Sequence, residues 1–200
     1  MNYNLSMNKE IREEYVDVQS LLSKIKHGDK EAFQILTQCF QRKVFQLAYS
    51  YLRNKEDAMD IVQETFLRLH QKIDLYKHEN NFQNWLLQIT RNICIDYYRK
   101  SYGKRGGRYL HENIEDVNIS NGTDQEQVYS SDLKSIFSQC LQKLSEKQRM
   151  VFVMKHFNHL EYKEIAQILD IALGTVKSLH FKAVQNMKAL ISPMLGEKYE

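Results

Sequence analysis

Residues 160–182 read LEYKEIAQILDIALGTVKSLHFK, a spacing that fits two short helices joined by a three-residue turn. Such a unit needs a small residue where the helices cross, a turn residue that tolerates a left-handed backbone, and an apolar residue that plugs the second helix into the first. Ala166, Asp170 and Val176 fill those places, with Ile165, Leu169 and Ile171 completing the apolar side. Beyond the turn, Thr175, Lys177, Ser178, His180 and Lys182 form a polar, basic face suited to a major groove, so the expected partner is DNA. An amphipathic hairpin with solvated lysines is the plainer alternative. Against it, Gly174 and Thr175 stand at the start of the second helix, where small residues let a backbone approach phosphate or bases. Glu161 and Ala172 occupy positions where Ser or Thr caps are expected, and a missing cap costs about 1 kcal/mol. Tertiary packing is therefore expected to hold the unit.

The rest of the chain is compatible with an all-α protein. Its 200 residues suffice for one or two small domains with real cores, and they include a single proline. Cys39, Cys94 and Cys140 are widely spaced in apolar surroundings, which predicts buried reduced thiols and a cytoplasmic protein. The opening MNYNLSMNKEIREEY has no apolar signal core, and no stretch approaches the roughly 18 apolar residues of a membrane span, so direct membrane insertion is not expected. There is no G-x-x-x-x-G-K-[ST], H-E-x-x-H or C-x-x-C. His156 and His159 lack a further ligand nearby in sequence, so neither catalysis nor a metal or other cofactor is expected.

Charge is distributed unevenly around a net +3. Residues 74–110 carry seven basic residues (Lys77, Arg91, Arg99, Lys100, Lys104, Arg105, Arg108) against three acidic ones, a net +4. In residues 56–64 the acids Glu56, Asp57, Asp60 and Glu64 meet no base, and their spacing sets most of them on one helix face, a surface for a basic protein partner. Apolar stripes at helical spacing run through Phe33 to Leu52, Ala58 to Leu69, and Trp85 to Tyr97, with Trp85 read as core. The polar loop DLYKHENNFQN, residues 74–84, is bracketed by Tyr76 and Phe82 and is suited to accept a base. Four of the seven glycines lie between residues 103 and 122, in a stretch without periodicity that turns acidic. This predicts two small helical domains joined by a flexible linker.

In order, these segments resemble the extracytoplasmic-function (ECF) sigma factors of bacterial RNA polymerase, from about Leu21 to Leu190. GDKEAFQILTQCF and VFQLAYSYLRNKEDAMDIVQETFLRLHQ resemble the first helix and the polymerase-binding helix of sigma region 2. NFQNWLLQITRNICIDYYRK keeps the F-x-x-W-L-x-x-I-x-x-N-x-x-x-D pattern of the helix that meets the -10 element, and LQKLSEKQRMVFVMKHFNHLEYKEIAQIL followed by GTVKS resembles region 4. The resemblance implies an N-terminal extension over residues 1–20, region 2 over 21–101, a linker over 102–132 and region 4 over 133–195. It implies a transcription initiation factor that binds core polymerase, directs it to promoters and helps open the DNA, under the control of a sequestering anti-sigma factor.

By position, Asp57, Asp60, Gln63 and Glu64 would dock on the clamp helices of the largest polymerase subunit. Lys72, Tyr76, Lys77 and Asn92 would form the pocket for a flipped base of the -10 element, with Arg91, Arg99 and Lys100 on phosphates. Thr175, Lys177, Ser178, Phe181 and Lys182 would meet the -35 element. Many family members carry S-R-L-H-R where this chain has Ser178, Leu179, His180, Phe181 and Lys182, so an arginine common at the second of these positions is missing. An autonomous helix-turn-helix regulator, dimerising through the first domain, is the competing reading, and a module that sequesters another factor is a third.

Overall fold

The computed structural model describes residues 17–77, 81–102 and 129–199, and every regular element among them is helical. Short polar residues start the first three helices, and a left-handed residue stops the second. Asp17 accepts from the backbone N–H groups of Gln19 and Ser20 to open α1 (Val18–Lys26), and Gly28, at φ 85°, turns the chain into α2 (Lys30–Leu52). Asp29 caps α2 through the Ala32 N–H, and Arg53, at φ 59°, ends it. Asn54 then caps α3 (Lys55–Lys72) by accepting from the Asp57 N–H, and a single 3-10 turn, Ile73–Leu75, follows it.

α4 (Phe82–Tyr102) closes the first half by packing on both α2 and α3. The core here joins Leu22, Leu36, Val44, Phe66, Leu69 and Leu86. At its edge the rings of Tyr76, Phe82 and Trp85 meet with centroids 5.2 to 6.2 Å apart. Trp85 is half-buried against this cluster, which bears out its reading as packing. The second half contains α5 (Tyr129–Lys143), α6 (Glu146–His156), α7 (Tyr162–Leu169) and α8 (Leu173–Tyr199). Helical backbone thus begins at Tyr129, inside the stretch read from sequence as linker, while residues 1–16 and 103–128 lie outside the described residues.

The halves share their cores. Ala48, Tyr49, Leu52, Ile61 and Ile93 of the first pack with Cys140, Leu141, Phe152, Val153 and Ala183 of the second. Leu47 and Leu87 join Met150, Val151, Met154, Leu160 and Ile165 in another cluster. In helical terms, α2 lies on α6 and α4 on α7. Cys39, Cys94 and Cys140 are buried and unbridged, as the sequence predicts, and burial pushes the Cys94 thiol up to about 12. Among the described residues no helix is long and apolar enough to cross a membrane.

Candidate nucleic-acid and protein interfaces

The helix-turn-helix forms as its spacing requires. Asp170 sits at φ 54°, ψ 52°, in the left-handed region, and Ile165 and Val176 are fully buried where the second helix plugs into the first. Thr175, Lys177, Ser178, Phe181 and Lys182 are all exposed. Phe181, which helical spacing from Val176 would also have allowed in the core, is 64% exposed and belongs to the outer face. A Cβ added at Gly174 would meet nothing within 4 Å, so the protein's own packing does not demand glycine there. The supposed missing cap is corrected by Glu164, whose Oε2 accepts from the Glu161 N–H at 2.7 Å, the reciprocal half of a capping box. His180 departs from the polar face read in sequence. Its Nε2 lies 2.9 Å from His156 Nε2 and its Nδ1 3.0 Å from the Tyr162 hydroxyl, and burial holds both imidazoles below their usual pKa.

The acidic face of α3 borders a groove of about 610 Å³ between α3 and α4, lined by Asp60, Gln63 and Glu64 on one side and Asp96, Tyr97 and Lys100 on the other. Asp60 and Gln63 are exposed. Asp57 is positioned by the Tyr97 hydroxyl, which donates to its Oδ1 at 2.6 Å. Glu64 accepts from Arg68 Nε at 2.6 Å, an i,i+4 pair, so the acids do meet one base a turn beyond the stretch in which sequence showed none. Such a surface pair contributes only about 0.3–0.5 kcal/mol, little enough for a partner's cation to displace it. Met59 and Leu67 stand 50% and 54% exposed on the same helix. The groove therefore offers carboxylates interleaved with apolar contact, the chemistry of a surface for a basic amphipathic helix.

The residues expected at the -10 element are more dispersed. Lys72, Lys77, Asn92, Arg99 and Lys100 are exposed, with Arg99 and Lys100 in the last turn of α4. Tyr76 is the exception, at 3% exposure. Its ring is packed against Phe82 and Trp85 and its hydroxyl lies 3.4 Å from Gln19 Nε2, so in this conformation it walls the loop and is not open to a base. Residues 78–80 of that loop lie outside the described residues. Arg91 is half-buried, and its Nη2 donates to the Leu169 carbonyl, at the end of α7, at 3.2 Å. Sequence reasoning missed Arg149, which is 2% exposed and donates from Nε to the Ser50 carbonyl at 2.6 Å and from Nη1 to the Leu144 carbonyl at 2.9 Å. Its only signal is a basic residue immediately before the apolar run MVFVM on a short helix.

Comparison with known proteins matches this division. Residues 36–103 match the model of Sigma-70 region 2, and residues 134–187 that of Sigma-70 region 4. The first match spans α3, its acidic face and α4, and the second spans the helix-turn-helix, so the chain has the two-part makeup of a sigma-70-type sigma factor. The ECF RNA polymerase sigma factor SigW of Bacillus subtilis is 32% identical over 170 residues, covering 80% of this chain and 89% of that relative. The ECF RNA polymerase sigma-E factor of Haemophilus influenzae is 29% identical over 184 residues, covering 88% and 96%. Among solved structures, the sigma factor RpoE of Bartonella quintana, in complex with the anti-sigma factor NepR, superposes with a TM-score of 0.64 at 24% identity, covering 80% of this chain and 96% of that one. CnrH, in complex with the cytosolic domain of CnrY, does so with 0.62 at 21%, covering 88% and 97%; at these identities both show the fold alone. The chain belongs to the ECF family of RNA polymerase sigma factors, and its function is to direct polymerase to promoters in transcription initiation. An autonomous regulator is not favoured.

Proposed function

We propose that this sigma factor acts within the cytoplasm, without catalytic chemistry of its own, through three surfaces, the first two of which meet at Lys100. The groove between α3 and α4 takes the clamp helices of the largest polymerase subunit through Asp57, Asp60, Gln63 and Glu64. Lys72, Lys77 and Asn92 receive the -10 element, with Tyr76 as the buried wall of the pocket and Arg91, Arg99 and Lys100 on phosphates. Thr175, Lys177, Ser178, Phe181 and Lys182 meet the -35 element, and without an arginine at position 179 the preference there rests on the lysines, the hydroxyls and Phe181. Extruding a base costs a few kcal/mol and a pocket returns about 1–3 kcal/mol per base, so the balance is close and promoter sequence matters. An anti-sigma factor would regulate the chain by covering the first of these surfaces.

The observation that carries this reading is the groove itself, where exposed Asp60 and Asp96 stand with exposed Leu67 between α3 and α4, within the part that matches region 2. The test is binding to purified core polymerase. Asp60→Lys with Glu64→Lys is expected to weaken it about 100-fold or more, because it places like charge against a basic partner. Lys177→Ala with Lys182→Ala is expected to leave core affinity unchanged. Full core affinity in the α3 double variant would remove this surface from the reading.

A further inference from the structure

Of the polar residues Thr175, Lys177, Ser178, His180 and Lys182 that follow the turn, His180 alone is half-buried, and it is held from two sides. From α6 comes His156, whose Nε2 lies 2.9 Å from its Nε2, and from the start of α7 comes Tyr162, whose hydroxyl lies 3.0 Å from its Nδ1. The imidazole centroids are 5.1 Å apart with planes inclined by 25°, so the two Nε2 atoms point at each other edge to edge. The buried Phe152 ring lies 4.4 Å from that of His156, and Lys155 Nζ sits 5.0 Å over the Tyr162 ring while pairing with Glu161 at 3.3 Å. In the S-R-L-H-R pattern common in the family the place of His180 is a leucine, so this chain puts two ring nitrogens where packing alone is usual.

Val176, Ala183 and Met187 give α8 an apolar seat. Burial of this kind is not directional, whereas hydrogen bonds to two other elements fix the rotation of a helix about its axis. The bonds of His180 are complete for a neutral pair in either of two tautomer arrangements. If His180 Nε2 carries the proton it donates to His156, and its bare Nδ1 accepts from the Tyr162 hydroxyl; if His156 Nε2 carries it, His180 accepts there and donates from Nδ1 to the Tyr162 oxygen. One added proton leaves the link between the rings intact. A second sets N–H against N–H and breaks it. The groups facing the pair are Lys155 from α6, His159 from the turn after it, and Glu161 and Tyr162 from the start of α7; α5 also packs on α8, and none of its described charged residues acts on either ring. Burial and Lys155 oppose added protons on both rings, so the complete chain of bonds is the state at neutral pH.

We propose that His180, braced by His156 and Tyr162, is a positioning residue for reading the -35 element: it sets the rotation of α8 and so the aim of Lys177, Ser178, Phe181 and Lys182. The proposal rests on the -35 assignment made above. It gives promoter reading a pH dependence whose sign is diagnostic. A histidine that touched phosphate would bind DNA more tightly on gaining a proton. A positioning histidine binds less tightly, because the second proton releases α8 from α6.

The experiment measures promoter-fragment affinity of holoenzymes assembled with the full chain, native or carrying His180→Leu or His156→Ala, from pH 7.5 to 5. Taking the ratio of native to variant affinity at each pH removes the titration of the polymerase itself. At pH 7.5 the native chain is expected to bind about 3- to 10-fold more tightly than His180→Leu and about 2- to 5-fold more tightly than His156→Ala, as loss of one or two positioning hydrogen bonds requires. Both ratios are expected to fall towards one as the pH passes the point at which imidazole ¹⁵N spectra of the full chain show His156 and His180 both protonated. A loss of folding alone has no reason to track that titration. If His180→Leu does not fold, His156→Ala, at an exposed position, decides. Ratios of one at pH 7.5, ratios flat across the titration, or ratios that rise with acid would overturn the proposal. Unchanged affinity in Lys177→Ala with Lys182→Ala would instead remove the -35 assignment, and the proposal with it; the expected loss in that variant beside a flat ratio overturns the proposal alone.

Discussion

Val176 and Phe181 make a matched pair for testing how the helix-turn-helix is built. Both are apolar residues of α8, but Val176 is fully buried and Phe181 is 64% exposed. Val176→Ala deletes the equivalent of two buried methylene groups, about 1.6 kcal/mol of transfer free energy at about 0.8 kcal/mol each. The cavity left against Ile165 and Leu169 raises the total to about 2–3 kcal/mol. For a chain of this length each kcal/mol moves the midpoint by about 2–4 °C, so a loss of about 4–12 °C is expected in thermal unfolding followed by circular dichroism. Phe181→Ala removes a side chain that packs little, and its stability effect is expected within about 0.5 kcal/mol. In a promoter fragment binding assay with holoenzyme the order reverses at permissive temperature: Phe181→Ala weakens -35 engagement and Val176→Ala, while folded, does not. A midpoint loss under about 2 °C for Val176→Ala, or of several degrees for Phe181→Ala, would refute this placement of core and binding face.

Three further expectations follow from named contacts. Gly174→Ala places its Cβ in open space, so stability is expected unchanged or raised by up to about 1 kcal/mol while promoter affinity falls, as measured by unfolding and fragment binding on one preparation. Lys177→Ala with Lys182→Ala is expected to reduce the slope of log affinity against log salt by about 1.8, two phosphate contacts at about 0.9 each, in holoenzyme titrations. The third is a pH dependence. His156 and His180, facing each other beside Lys155, His159 and Tyr162, are held below 6.5 by burial. The folded state therefore resists protons that the unfolded chain accepts: stability is flat from this source above pH 6.5 and declines as pH falls below it. His180→Gln is expected to shrink that decline in denaturant midpoints measured between pH 7.5 and 5.

The parts legible in sequence are those specified by nearby residues. Asp170 at a left-handed turn, Val176 as the plug and the helical stripes of α2 to α4 follow from spacing alone, because a helix sorts its faces every three to four residues. The exposed acids of α3 and the exposed cations of α8 were legible for the same reason. What escaped the reading depends on three-dimensional packing, most of it between residues far apart in the chain. Tyr76 has the composition of a base-stacking residue, yet Phe82 and Trp85 close over it. Arg91 has the look of a phosphate contact, but a carbonyl 78 residues away occupies it. Arg149 meets Ser50 across 99 residues, and His156 finds His180 only because α6 packs on α8. No local pattern encodes such pairings.

The most direct test of the central claim is in vitro transcription with purified bacterial core polymerase, with and without this chain, on sheared genomic DNA from its source, reading transcript 5′ ends. New start sites that depend on the chain, that share two upstream motifs, and that vanish with Asp60→Lys and Glu64→Lys are the predicted result. Start sites unaffected by the chain, together with no binding to core, would contradict it.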